Sequence, residues 1–296
     1  MKNNKINAQN TFHDGFYKNC KGIMENISLN WWDYLSLISI IFIGIPHGAL
    51  DGAISITLGY SKQIKLQTLF ILTYLFISFI VVIFWFLFPV LALILFLFIS
   101  VFHFGFGDLN WKNNKFYILN GYFHGGLIVF GIIFFNKVEV DFLFQILSGD
   151  DLLLLWKILY LGLIFWIISA IILFINYKNI QISKYYLRLL VSITLIVIIL
   201  PPLPAFAAYF CLIHSFHHIK RIFPTLLNFM DKRKAITFMV LFSFFSWVVG
   251  IIGVYYILDF YNFSESVLKV TFIGLAALTV PHMILVDGFF RPKFKI

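Results

Sequence analysis

The chain has 296 residues, of which 61% are hydrophobic and only 12% charged, with a mean hydropathy of +0.94. A soluble domain of this length needs a charged surface that this composition does not supply, so lipid is the solvent for most of the chain. The net charge of +9 is scattered over short connections and forms no stripe, which argues against a nucleic-acid partner and for a positive-inside topology.

Residues 1–30 are polar, with Lys2, Lys5, Lys18 and Lys21, and carry no short apolar core followed by a small-residue cleavage site. They read as a polar N-terminal segment ahead of a single transmembrane domain over 31–296. Runs of about 20 apolar residues cross a bilayer as helices. Nine such spans are predicted, near 32–58, 66–87, 90–107, 117–135, 152–175, 185–201, 203–220, 236–258 and 267–290. The expected fold class is all-α: a polytopic transmembrane helix bundle of about nine spans, within eight to ten. Pro89, Pro201, Pro202 and Pro204 suit turns at a membrane face.

Lys and Arg set the orientation. The connections after spans one, three, five and seven, with the C-terminal tail, hold Lys62, Lys65, Lys112, Lys115, Lys178, Lys184, Lys220, Arg221, Lys232, Arg233, Lys234, Arg291, Lys293 and Lys295. The alternate connections hold only Lys137, beside Glu139, Asp141, Asp150 and Asp151. The first set is therefore placed in the cytoplasm, in a multi-pass protein of the cell membrane. The four N-terminal lysines then fall on the opposite side, an inconsistency this topology leaves open.

With that topology His47, His103, His124, His214, His218 and His282 share a depth in the cytoplasmic half of the bilayer, and His217 joins them. Only His13 lies in the polar N-terminus. Ionisable groups are costly in lipid and mark functional interiors. "CLIHSFHHIKR" over 211–221 is the densest cluster. On a helix His214 and His218 lie one turn apart and about 40° apart around the axis, so both rings can grip one ion. His217 is also near the face of His214, which leaves the pair ambiguous by spacing alone.

"GIPHGALDGA" over 44–53 places Asp51 four residues after His47, where its carboxylate is expected to hold the ring. Gly44, Gly48 and Gly52 make a thin face for close packing. "SVFHFGFGD", "GYFHGG" and "TVPHMILVD" carry His103, His124 and His282. Together these supply more rings than one metal needs, so some support the site or line the substrate. Glu25, Glu139 and Glu265 all lie outside the spans, which excludes a glutamate-bridged di-iron bundle. Cys20 and Cys211 provide no structural zinc set; Cys211 reads as a small core residue. An all-imidazole site suits iron, copper or zinc alike.

"PHGALD", "FHFG", "HSFHH" followed by Arg221, and "PHM", in this order along a polytopic chain, resemble the Brp/Blh family of membrane β-carotene 15,15′-dioxygenases. The resemblance covers roughly 32–290. It implies one Fe(II) bound by His47, His103, His214 and His218, with O2 added across the central double bond of β-carotene to release two retinal molecules. Asp51, His124, His217 and His282 then fall to supporting or substrate-lining roles. β-Carotene and O2 are the implied substrates, the bilayer is the medium, and a retinal-binding rhodopsin is the implied functional link. Phe102, Phe104, Phe106, Tyr122, Phe123 and Phe216 are expected to orient the polyene.

Two other readings compete. His214-x-x-His217-His218 also fits one histidine box of a membrane desaturase or hydroxylase, although such enzymes have a di-metal site and several boxes. A non-catalytic haem- or retinal-binding membrane protein would use paired histidines without turnover.

Overall fold

The computed structural model describes residues 29–109, 115–176 and 183–294, and every regular element among them is helical. The N-terminal lysines, His13, Cys20, Glu25, Lys112, Lys178 and Lys295 lie outside the described residues. The first span comprises α1 (Trp31–Ser39), a π-helical segment Ile40–Gly44, α2 (Ile45–Gly48) and α3 (Asp51–Leu58). Then come α4 (Ile64–Leu87), α5 (Pro89–Gly107), α6 (Tyr117–Phe135), α7 (Lys137–Ser148), α8 (Leu153–Ile175) and α9 (Lys184–Ile199). The next run joins α10 (Pro202–Ala207), a π-helical segment Ala208–His214 and α11 (Ser215–Leu227). Helices α12 (Lys232–Ile257) and α13 (Phe263–Met283), a third π-helical segment Ile284–Phe290 and α14 (Arg291–Phe294) complete the bundle.

Seven helical runs among the described residues are long and apolar enough to cross a membrane. The two further spans expected over 185–201 and 203–220 are helical but do not join them. Helix α9 has 16 residues, short for a bilayer. The run from Pro202 is polar in its second half, where His214, His217, His218, Lys220 and Arg221 follow one another. The acidic connection over 136–151 is itself largely helical. Its apolar residues Val140, Leu143, Phe144 and Leu147 recur at helical spacing and are buried, and Trp85 donates from Nε1 to the Leu147 carbonyl (3.1 Å).

Helices α4 and α12 stand outermost. In α4 only Trp85 is buried, and in α12 only Ala235 and Ser243, so their large side chains face lipid. Helices α5, α6 and α13 form the interior. The α5–α6 crossing is paved with glycine: a Cβ on Gly125 would overlap the Val101 carbonyl and sit 3.0 Å from the Gly105 amide. Without side chains there, the two backbones touch, as small residues permit in membrane bundles.

Two features aim the polar side chains inward. The π-helical segments lie in the runs that carry His47, His214 and His282, and each widens the turn and rotates the next residues relative to an α-helix. The first span also breaks at Ala49–Leu50, between His47 and Asp51. At the C-terminus of α5, Arg291 donates to the carbonyls of Phe106 (3.0 Å) and Gly107 (3.3 Å), and Arg221 to that of Gly107 (3.2 Å). Two guanidiniums thereby satisfy carbonyls that the helix leaves open and oppose its negative end.

Candidate metal centre

Five imidazoles from distant parts of the chain converge in the bundle: His47 of α2, His103 of α5, His214 at the end of a π-helical segment, His218 of α11 and His282 of α13. None is more than 6% exposed. Ring centres lie 4.8 Å apart for His103 and His214, 4.9 Å for His218 and His282, and 5.2 Å from His47 to each of His214 and His218. His282 is 5.4 Å from His103 and 5.6 Å from His47. One ligand atom from each of His47, His103 and His214 lies within 4.8 Å of the others.

Outer partners decide which nitrogen each ring turns inward. A carbonyl or carboxylate only accepts, so the ring nitrogen facing it carries the proton. His214 donates from Nδ1 to Asp108 Oδ1 (2.7 Å), and His282 from Nδ1 to Asp51 Oδ1 and Oδ2 (2.8 and 3.0 Å). His47 donates from Nδ1 to the Gly44 carbonyl, with Ser215 Oγ at 3.2 Å. In all three rings the Nε2 lone pair is left for the interior. Nε2 of His214 faces Nε2 of His103 at 3.1 Å, a distance at which two lone pairs repel unless a proton or cation lies between them.

Buried polar atoms without a partner are rare in folded proteins. Several belong to the cluster: His218 Nδ1 and Nε2, His282 Nε2 and His103 Nδ1. A cation bound among the rings satisfies the inward atoms at once, so the donor set fits a metal of the kind that takes neutral imidazoles.

The carboxylates lock the helices together. Asp108 accepts from His214, from His124 Nε2 (3.1 Å) and from Tyr209 (2.6 Å), and is wholly buried. Asp51 accepts from His282 and from Tyr74 (2.9 Å). Asp287 lies 3.7 Å from His103 Nδ1 and pairs with Arg291 at 2.6 Å. Each carboxylate faces a ring on another helix, so these contacts are also tertiary ties.

A narrow cleft of about 60 Å³ opens from the cluster, smaller than the about 300–1,000 Å³ usual for small-molecule sites. His47, His103 and His282 form one end, and Phe96, Phe104, Phe206, Phe210, Phe242 and Leu278 form apolar walls.

The structure brings His47, His103, His214, His218 and His282 together. His124 is buried behind Asp108, one carboxylate away from His214. His217 points outward and hydrogen-bonds the Tyr185 hydroxyl, away from the cluster. The expected pairing of Asp51 with His47 does not form: the helix break at Ala49–Leu50 turns Asp51 to His282, and Gly44 and Ser215 hold His47 instead. Of the aromatics expected beside the substrate only Phe104 lines the cleft. Phe102 packs against Phe106 and Tyr122, Phe123 stacks on Trp166, and Phe216 is exposed. Sequence reasoning gave no role to Asp108, Asp287, Tyr74 or Tyr209. The signal present in the chain was an aspartate five residues after His103 and again after His282, in segments otherwise free of acid.

The sequence matches the family described as Beta-carotene 15,15′-dioxygenase over residues 38–290. It is 36% identical over 263 residues to a protein named Beta-carotene 15,15′-dioxygenase from Uncultured marine bacterium 66A03, covering 88% of this chain and 94% of that one. No solved structure matches it.

Proposed function

The chain belongs to the beta-carotene 15,15′-dioxygenase family, and we propose that it cleaves β-carotene with one Fe(II) held by His47, His103, His214 and His218. The observation that carries this reading is the convergence of imidazoles from separate helices, with Nε2 of His214 and His103 facing each other at 3.1 Å and Nε2 of His218 buried without a partner. Asp51 and His124 belong to the surrounding support, and His217 to its margin.

A bound Fe(II) supplies the oxygen chemistry that side chains lack. The two atoms of O2 pass one to each carbon of the central double bond, so one β-carotene and one O2 give two retinal molecules. The chain's own residues prepare this. Asp108, Asp51 and the Gly44 carbonyl fix the tautomers of His214, His282 and His47 and keep the rings from turning. Phe96, Phe104, Phe206, Phe210 and Phe242 keep water away and give a polyene flat walls to lie against. A carotenoid already dissolved in the bilayer reaches such a cleft sideways, between helices.

For the topology we propose nine crossings in the cell membrane, the seven long helical runs together with α9 and the run over 202–227. The cluster then lies in the cytoplasmic half, near Lys62, Lys65, Lys220, Arg221 and Arg291. The desaturase reading loses support because His217 leaves the box and bonds Tyr185, so the box does not act as a unit.

Coexpression with a β-carotene pathway tests the reaction. Loss of orange pigment with appearance of retinal is expected. Apocarotenals of unequal length would reject central cleavage.

A further inference from the structure

We propose that His282 is itself a metal ligand, a fifth imidazole that binds through Nε2 and is presented to the ion by Asp51 and Tyr74; this rests on the iron reading above. The chemistry of its two nitrogens carries the assignment. Nδ1 faces both oxygens of Asp51 at 2.8 and 3.0 Å, so it bears the proton, and Nε2 is left as a lone pair. That lone pair is buried and has no partner. An unpartnered buried nitrogen is uncommon in native proteins, and this one belongs to a ring 4.9 Å from that of His218.

The direction of the ring agrees. Its centre lies 4.9 Å from His218, 5.4 Å from His103 and 5.6 Å from His47, against 4.8–5.2 Å for His214 with His103 and His47. It therefore stands among the other rings and not behind them. His124 differs by position: its Nδ1 is also buried without a partner, but its Nε2 is spent on Asp108 and the carboxylate separates it from the cluster.

The outer support is that of a ligand. Metal-bound histidines almost always donate their other N–H to a carboxylate or carbonyl, which fixes the tautomer and raises the basicity of the binding nitrogen. His282 meets this condition more fully than His218, neither of whose nitrogens has a partner. Asp51 is 1% exposed and is held in turn by the Tyr74 hydroxyl at 2.9 Å. Locally, Pro281 precedes the ring and the π-helical segment Ile284–Phe290 comes just after it. That irregular backbone is suited to aiming a side chain inward.

The test uses the full chain, purified in detergent, as wild type, His282→Gln, His282→Gly and Asp51→Asn. Fe(II) affinity is measured by chelator competition, and the visible spectrum of the Co(II)-loaded protein reports the ligand set without turnover. Loss of an outer partner costs about 10–100-fold in metal affinity, and Asp51→Asn is expected in that range. Both His282 variants are expected to lose more, with a changed Co(II) spectrum, and added imidazole is expected to restore Fe(II) binding to His282→Gly. Wild-type affinity and spectrum in His282→Gln would overturn the inference while leaving the dioxygenase reading intact. A loss in both variants that imidazole does not restore in His282→Gly would assign the ring to packing and overturn it too. Wild-type protein that makes no retinal and binds neither metal overturns the iron reading and this inference together.

Discussion

Replacing Asp108 separates the forces that hold His214 in place from those that hold the bundle together. Its carboxylate is wholly buried and accepts from His214 at 2.7 Å, Tyr209 at 2.6 Å and His124 at 3.1 Å. In Asp108→Ala three buried donors lose their acceptor, at about 1–3 kcal/mol each, or about 3–9 kcal/mol in all. Against this, the native protein spends several kcal/mol to bury a carboxylate, and the variant recovers it. The two terms are of similar size, so the net change in stability is a few kcal/mol at most. It is smaller for Asp108→Asn, which keeps one acceptor oxygen. Nothing offsets the effect on the metal. A freed His214 ring can rotate and adopt either tautomer, and losses of this kind cost about 10–100-fold in metal affinity, or about 1.4–2.8 kcal/mol. Both variants are therefore expected to remain monodisperse in detergent while Fe(II) affinity and retinal formation fall by that factor. The assays are chelator competition, retinal quantification and thermal unfolding on matched preparations. Iron affinity within twofold of wild type in Asp108→Ala would refute the claim that this carboxylate positions a ligand.

The same geometry gives other expected outcomes. His218→Ala is expected to abolish bound iron and retinal formation, whereas His217→Ala, at a ring bonded to Tyr185 outside the cluster, keeps its iron and loses only part of its activity; iron per chain decides, and the reverse pattern would move the ligand by one residue. Gly125→Ala forces the α5 and α6 backbones apart, because the Val101 carbonyl and Gly105 amide cannot swing aside. It should cost at least the about 1–3 kcal/mol of an overpacked core in thermal unfolding, with loss of iron as His103 is displaced. Leu278→Trp narrows the cleft beside His282. It is expected to cut retinal formation at least tenfold with iron per chain unchanged, and an unaffected rate would move the substrate elsewhere.

Membrane residence, helical class and the interest of the histidines were legible in the chain itself. The preference of an apolar segment for lipid, and the cost of an imidazole within it, are properties of the segment and need no neighbour. The four motifs that resemble the dioxygenase family likewise read off directly. The pairing lay beyond reach. Asp51 stands four residues from His47 yet serves His282, 231 positions away, and Asp108 serves His214, 106 positions away. Spacing arguments assume an unbroken α-helix, and here a break at Ala49–Leu50 and three π-helical segments change the register at the residues that matter. The cleft walls were hidden for a related reason. The chain has 38 phenylalanines, and which of them meet the cluster depends on which helices face each other. That was decided by the glycine-paved α5–α6 crossing and by carboxylates reaching between helices, because packing and buried hydrogen bonds join residues by distance in space and are indifferent to their separation along the chain.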